Sequence, residues 1–100
     1  MGSRAFLARV DWLLETLEPG GSSPGAERIL TEGYAHALRL ERQVRRLERE
    51  TAELAAHAQE PQAARRLRRL APRARAKREE LDELRNRLAA LKDAFAGQSV

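Results

Sequence analysis

Two long runs of seven-residue apolar periodicity fill most of this chain, and they are out of step with each other. The first reads Leu30, Gly33, Ala37, Leu40, Val44, Leu47, Thr51, Leu54, Ala58; the second reads Leu67, Leu70, Ala74, Lys77, Leu81, Leu84, Leu88, Leu91, Phe95. Each is the pattern of a helix that buries one seam against a neighbouring helix. Carrying the first register past Pro61 would put Arg65, Arg68 and Pro72 in the core, so the seam slips there. One straight coiled coil cannot keep both seams covered. Pro61 also lacks the amide hydrogen a helix interior needs, and it disfavours helical geometry at Glu60. The predicted fold is all-α: a long antiparallel, coiled-coil-like hairpin that breaks near residues 59–61.

A shorter amphipathic stretch precedes the hairpin. Phe6, Val10, Leu13 and Leu17 recur at helical spacing, flanked by Leu7 and Leu14, with Trp12 toward the edge of that face. This predicts a helix over about residues 4–17, capped by Ser3 and ended by Glu18-Pro19-Gly20-Gly21-Ser22. Residues 18–25 read as linker. The second helix, about 24–58, opens with Ser23 as cap, Pro24 at its first position and Glu27 in its first turn. The third covers about 62–96, with a kink expected at Pro72 opposite its seam and an end at Gly97. All three belong to one helical domain over residues 1–100. In a closed hairpin Leu81 to Phe95 faces Leu30 to Leu40. The short N-terminal helix then packs on that open end, with Phe6, Val10, Leu13 and Leu17 against Tyr34 and Leu38.

Composition narrows the chemistry. Four aromatics and six glycines in 100 residues suit long helices rather than a mixed globule. The absence of cysteine excludes a disulfide framework, a thiol nucleophile and a thiolate metal site, and it suits a cytoplasmic or nuclear protein. No apolar run approaches the roughly 20 residues of a membrane span. Phe6 stands where the myristoylation pattern requires Ser or Thr, and Asp11, Glu15 and Glu18 argue against a mitochondrial presequence. His36 and His57 are far apart and lack carboxylates at ligand spacing, which fits exposed helix positions rather than metal ligands. Glu79, Glu80, Asp82 and Glu83 cluster, and the spacing predicts an exposed Glu83–Arg87 pair across one turn. No Ser/His/Asp set, glycine-rich phosphate loop or nucleotide fingerprint occurs. An enzyme is not expected, nor a cofactor, a metal or a small-molecule substrate.

Charge is distributed unevenly. Residues 62–78 hold eight basic side chains (Arg65, Arg66, Arg68, Arg69, Arg73, Arg75, Lys77 and Arg78) and no acid. Residues 1–60 carry eight basic and ten acidic groups, and residues 79–100 carry three and five. The net +4 is thus +8 in one segment against a mildly acidic remainder. The opposing stretch of the hairpin, Gln43 to Ala56, sums to zero, so the expectation is an uncompensated cationic tip. Like charges at Arg65, Arg69, Arg73 and Lys77 repel by only about 0.2–0.5 kcal/mol per pair, which a helix tolerates.

A basic helix followed by leucine heptads is the order of a basic leucine zipper, to which this chain is similar in that respect alone. It has no asparagine in the basic stretch to read a base edge, Pro72 interrupts the helix, and only about two heptads follow. No aromatic lies between Tyr34 and Phe95 to stack on single-stranded bases.

These features predict a non-enzymatic adaptor or structural subunit that assembles with partner helices or with copies of itself. Its interface would be Leu30, Leu40, Val44, Leu47, Leu54, Leu81, Leu84, Leu88, Leu91 and Phe95. The alternative is a polyanion-binding module acting through the basic segment. Its ligand would be nucleic acid held nonspecifically, an acidic protein surface or anionic lipid.

Overall fold

The computed structural model describes residues 3–16 and 24–96. Three helices account for them, in the order α1 (Ser3–Thr16), α2 (Pro24–Ala56) and α3 (Pro61–Ala96). No strand occurs among the described residues. α2 packs against α3 as an antiparallel hairpin, and α1 is the short helix on its open end. Leu17, Ser23, residues 18–22 of the expected linker and the segment beyond Ala96 lie outside the described residues. So do the side chains of Ser3, Leu14, Pro24 and Phe95. Among the described residues no helix is long and apolar enough to cross a membrane.

The break between α2 and α3 follows from the backbone of Pro61. α2 ends at Ala56, two residues before the predicted Ala58, because its last turn tightens. The amide of His57 donates to the Leu54 carbonyl at 3.0 Å, and that of Ala58 to Ala55 at 3.3 Å. Such three-residue bonds satisfy carbonyls that a continuing helix would otherwise serve. The Glu60 amide then donates to the His57 carbonyl at 2.9 Å. Pro61 occupies the first position of α3, where a missing amide costs nothing, and the Ala64 amide closes onto Glu60 at 3.0 Å. His57 therefore sits in a turn and not on a helix. α3 continues through Pro72 without interruption, and Pro72 is exposed.

Internal packing divides the chain into two compact units. Unit 1 comprises Met1–Ala37 with Asp82–Val100. Its core is built from three helices: Phe6, Leu7, Val10 and Leu13 of α1, Ala26, Ile29 and Ala37 of α2, and Leu84, Leu88 and Leu91 of α3. Gly33 brings them together. A Cβ at that position would lie 2.9 Å from Phe6 Cζ and closer still to Leu88 Cδ2, so any larger residue there would force those side chains to shift. Tyr34 and Leu38, predicted to receive α1, are instead 46% and 55% exposed. The neighbouring face, Ala26, Ile29, Gly33 and Ala37, is the buried one. A short side chain admits a closer helix than a ring does, and close approach is what fills a core. Trp12, placed at the edge of the α1 face, is 63% exposed.

Polar contacts frame this core. Arg87 Nε donates to Asp11 Oδ1 at 2.7 Å and its Nη1 to Glu83 Oε1 at 2.8 Å, which ties α1 to α3. The Glu83 contact is the one its spacing predicts; the Asp11 contact is additional. The Asp11 hydrogen bond raises the Arg87 pKa further above its ordinary value, with Glu83 adding to it against partial desolvation. Arg9 pairs with Glu32 at 3.5 Å between α1 and α2. His36 is half-buried, its ring 5.9 Å from that of Phe6.

Unit 2 spans Leu38–Leu81 and has two helices only. Leu40, Val44, Ala63, Ala74 and Leu81 are buried in it, whereas Leu47, Thr51, Leu54, Leu67 and Leu70 are half-buried. Two helices cover each other along one seam and leave its flanks wet.

A candidate anion-docking groove on α3

The basic segment lies on α3 within unit 2. Helical periodicity sorts its residues onto both flanks of the seam formed by Ala63, Leu67, Leu70, Ala74 and Lys77. Arg65, Arg66, Arg69 and Arg73 fall on one flank, and Arg68, Arg75 and Arg78 on the other. On the first flank the side chains of Gln62, Arg65, Arg66, Arg69, Leu70 and Arg73 line an open groove of about 510 Å³. Arg65 and Arg73 are eight residues apart, about 12 Å along the helix. Four guanidiniums are therefore gathered over little more than two turns.

The tip is less bare than its net charge suggests. Arg66 Nη2 donates to Glu50 Oε1 and Arg78 Nη2 to Glu48 Oε1, both at 2.7 Å and both from α3 to α2. Lys77 reaches Glu80 at 3.3 Å. It sits on the seam, half-buried. Three of the eight cations thus have carboxylate partners, which corrects the expectation of an uncompensated tip. The facing stretch of α2 sums to zero, but Arg45 is held by Glu41 at 2.9 Å, leaving Glu48 and Glu50 to reach across.

Five cations remain without a carboxylate. Arg65 Nε donates to the Pro61 carbonyl at 3.4 Å, while Arg68, Arg69, Arg73 and Arg75 have no polar partner among the described residues. All five are exposed. In the groove only Arg66 is paired, and its side chain is still 65% exposed, so an external anion can share it. Exposed pairs of this kind contribute about 0–1 kcal/mol each and leave most of the positive potential in place.

The groove gathers four cationic side chains. It holds no histidine, carboxylate or hydroxyl in its lining, and it is open to solvent. The His57–Glu60 contact at 3.8 Å lies in the exposed turn. Among the described residues no group of three His, Cys, Asp or Glu side chains could hold a metal ion.

The residues predicted as a partner-helix interface have mostly another occupation. Leu40, Val44, Leu81, Leu84, Leu88 and Leu91 are at most 3% exposed and are covered by the chain's own helices. They form the core of the closed hairpin and are not a surface. Leu30, Leu47 and Leu54 are half-buried, and the Phe95 side chain is outside the described residues. Of the predicted N-terminal packing set, Phe6, Val10 and Leu13 are buried. Ala26, Ile29 and Ala63 join the core without having been predicted. The spacing of Ala26, Ile29, Gly33 and Ala37 carried that information, as did Ala63, one step before Leu67 in the second seam. Compared with protein-family models, curated proteins and solved structures, the chain matches none.

Proposed function

We propose that this protein is a non-enzymatic adaptor that docks through the cationic groove of unit 2 onto an anionic surface of a partner. One observation carries this reading: Arg65, Arg69 and Arg73 share an open groove and have no carboxylate partner among the described residues. The fully buried positions of the apolar seam, Leu40, Val44, Leu81, Leu84, Leu88 and Leu91, are already covered by the chain's own helices. What remains for a partner on the two-helix unit is charge, with half-buried Leu70 beside it. A cytoplasmic or nuclear setting, which a chain without cysteine suits, belongs to the same reading.

Heparin chromatography tests it. Changing Arg65, Arg69 and Arg73 to Gln together should lower the eluting salt concentration clearly. Changing Arg28, Arg39 and Arg42 to Gln removes the same net charge from exposed positions elsewhere and should lower it much less. Equal shifts in the two variants would mean that net charge alone governs retention, and the groove would lose its role.

A further inference from the structure

The groove is not purely ionic. Leu70 is part of its lining and is half-buried, as are Leu47, Leu54 and Leu67 in the same unit. In unit 1 the corresponding apolar flanks are covered by a third helix: Val10 of α1 is fully buried, together with Leu84 and Leu91 of α3. Unit 2 has the same kind of seam but no third helix. Its open side is bordered by Arg65, Arg66, Arg69 and Arg73, whose methylene stems extend the apolar floor beneath four charged heads.

We infer that the ligand of this groove is an amphipathic acidic helix from a partner protein, which lies along α3 as the missing third helix of unit 2. This inference rests on the docking role proposed above and names its ligand. Charge complementarity selects the sign. Arg65, Arg69 and Arg73 stand about 6 Å apart in steps of four residues, the same step at which glutamates recur on one face of a helix. Leu70, half-buried in the groove lining among the arginines, selects the form, because an apolar contact beside cations matches an amphipathic helix and not a polyphosphate chain. Single-stranded nucleic acid would need stacking surfaces, and no Phe, Tyr or Trp lies within residues 38–81.

The test uses the full chain and three labelled probes of equal charge. One is a synthetic Leu/Glu peptide with amphipathic helical spacing, the second is its scrambled sequence, and the third is a single-stranded oligonucleotide. Fluorescence anisotropy on the native protein should show the amphipathic peptide binding about tenfold more tightly than the scrambled one, the scale of burying one additional leucine-sized face. Circular dichroism should show that peptide gaining helix on binding. Leu70→Ala should weaken the amphipathic peptide and leave the scrambled peptide and the oligonucleotide unchanged. Gln at Arg65, Arg69 and Arg73 should weaken all three. The comparison of probes on the native chain needs no variant, so it stands even if Leu70→Ala disturbs the fold. Tighter binding of the oligonucleotide would overturn the inference in favour of nucleic acid. Equal binding of the two peptides would overturn it in favour of charge alone, while the docking role survives. Loss of all binding, with heparin retention indifferent to the arginines, would remove both.

Discussion

Gly33 offers the sharpest test of how unit 1 is built, because two opposed effects meet at one atom. Replacing a glycine inside an exposed helix by alanine should stabilise it by about 1 kcal/mol, through helix propensity alone. At Gly33 the added Cβ would stand 2.9 Å from Phe6 Cζ, 3.3 Å from Leu88 Cδ1 and closer still to Leu88 Cδ2. These atoms end flexible side chains, so they can move, but Phe6 is 6% and Leu88 2% exposed and each is hemmed in by the core. Overpacking of that kind costs about 1–3 kcal/mol. The larger effect is the clash. Gly33→Ala should therefore destabilise the protein by about 1 kcal/mol, which lowers the melting temperature by roughly 4–8 °C in a chain of this size.

Thermal melts followed by far-UV circular dichroism read this directly. Gly25→Ala, in the exposed first turn of α2, is the control and should not destabilise. Leu88 makes the closest part of the clash, so its removal must be felt. Leu88→Ala alone should cost about 2–5 kcal/mol through the cavity it leaves. The double variant should cost less than the sum of the singles by about 0.5–3 kcal/mol, since the new Cβ occupies part of that cavity. A Gly33→Ala protein that melts above the native one, or strict additivity with Leu88→Ala, would refute the close approach of α1 and α3 at Gly33.

Two further outcomes follow from the helices and their contacts. Pro72 leaves the Arg68 carbonyl without its helical donor on the exposed face of α3, so Pro72→Ala should stabilise by up to about 3 kcal/mol; a melting temperature that falls instead would show that the proline shapes the helix to its partner. The raised Arg87 pKa belongs to a cation, so its contribution is present below the ordinary arginine range and is lost only above it. Titration of Arg87 thus adds no slope near neutral pH, and Asp11→Asn should cost about 0.5–1 kcal/mol at low salt, shrinking in salt titrations of the melt.

Much of this architecture was legible because periodicity is a strong signal. Leu40, Val44, Leu81, Leu84, Leu88 and Leu91 repeat on helical seams, and the phase slip at Pro61 marks the turn that the structure places at residues 57–60. What escaped was carried by small residues. Tyr34 and Leu38 attracted attention as apolar groups off the seam, yet α1 packs where Gly33 leaves room. Hydrophobicity registers what a side chain offers and is silent about the space a missing one provides. Charge counting failed for a related reason. The stretch facing the arginines is neutral in sum, but Glu48 and Glu50 reach α3 while Arg45 turns to Glu41 on its own helix. A sum has no direction, whereas an ion pair depends on which flank of the helix a residue occupies.

The two units differ in two quantities, apolar coverage and charge. Unit 1 buries Leu7, Leu13, Leu84, Leu88 and Leu91 among three helices and ties them with the Arg87 contacts to Asp11 and Glu83. Unit 2 leaves Leu47, Leu54, Leu67 and Leu70 half-wet and holds three unpaired arginines on one flank. Neighbours in the column Arg65, Arg69, Arg73 repel by about 0.2–0.5 kcal/mol per pair, a cost the folded unit bears whenever the groove is empty. A ligand that neutralises the column removes this repulsion, and one that is also apolar covers Leu70. Any molecule that binds the folded form alone raises its stability by mass action. Unit 2 thus stands to gain most from a ligand that is both anionic and amphipathic, and hydrogen-exchange protection of residues 47–70 should rise on binding it more than protection in unit 1. A polyanion without an apolar face would relieve the repulsion and leave the leucines wet, so the size of that gain distinguishes the two ligands.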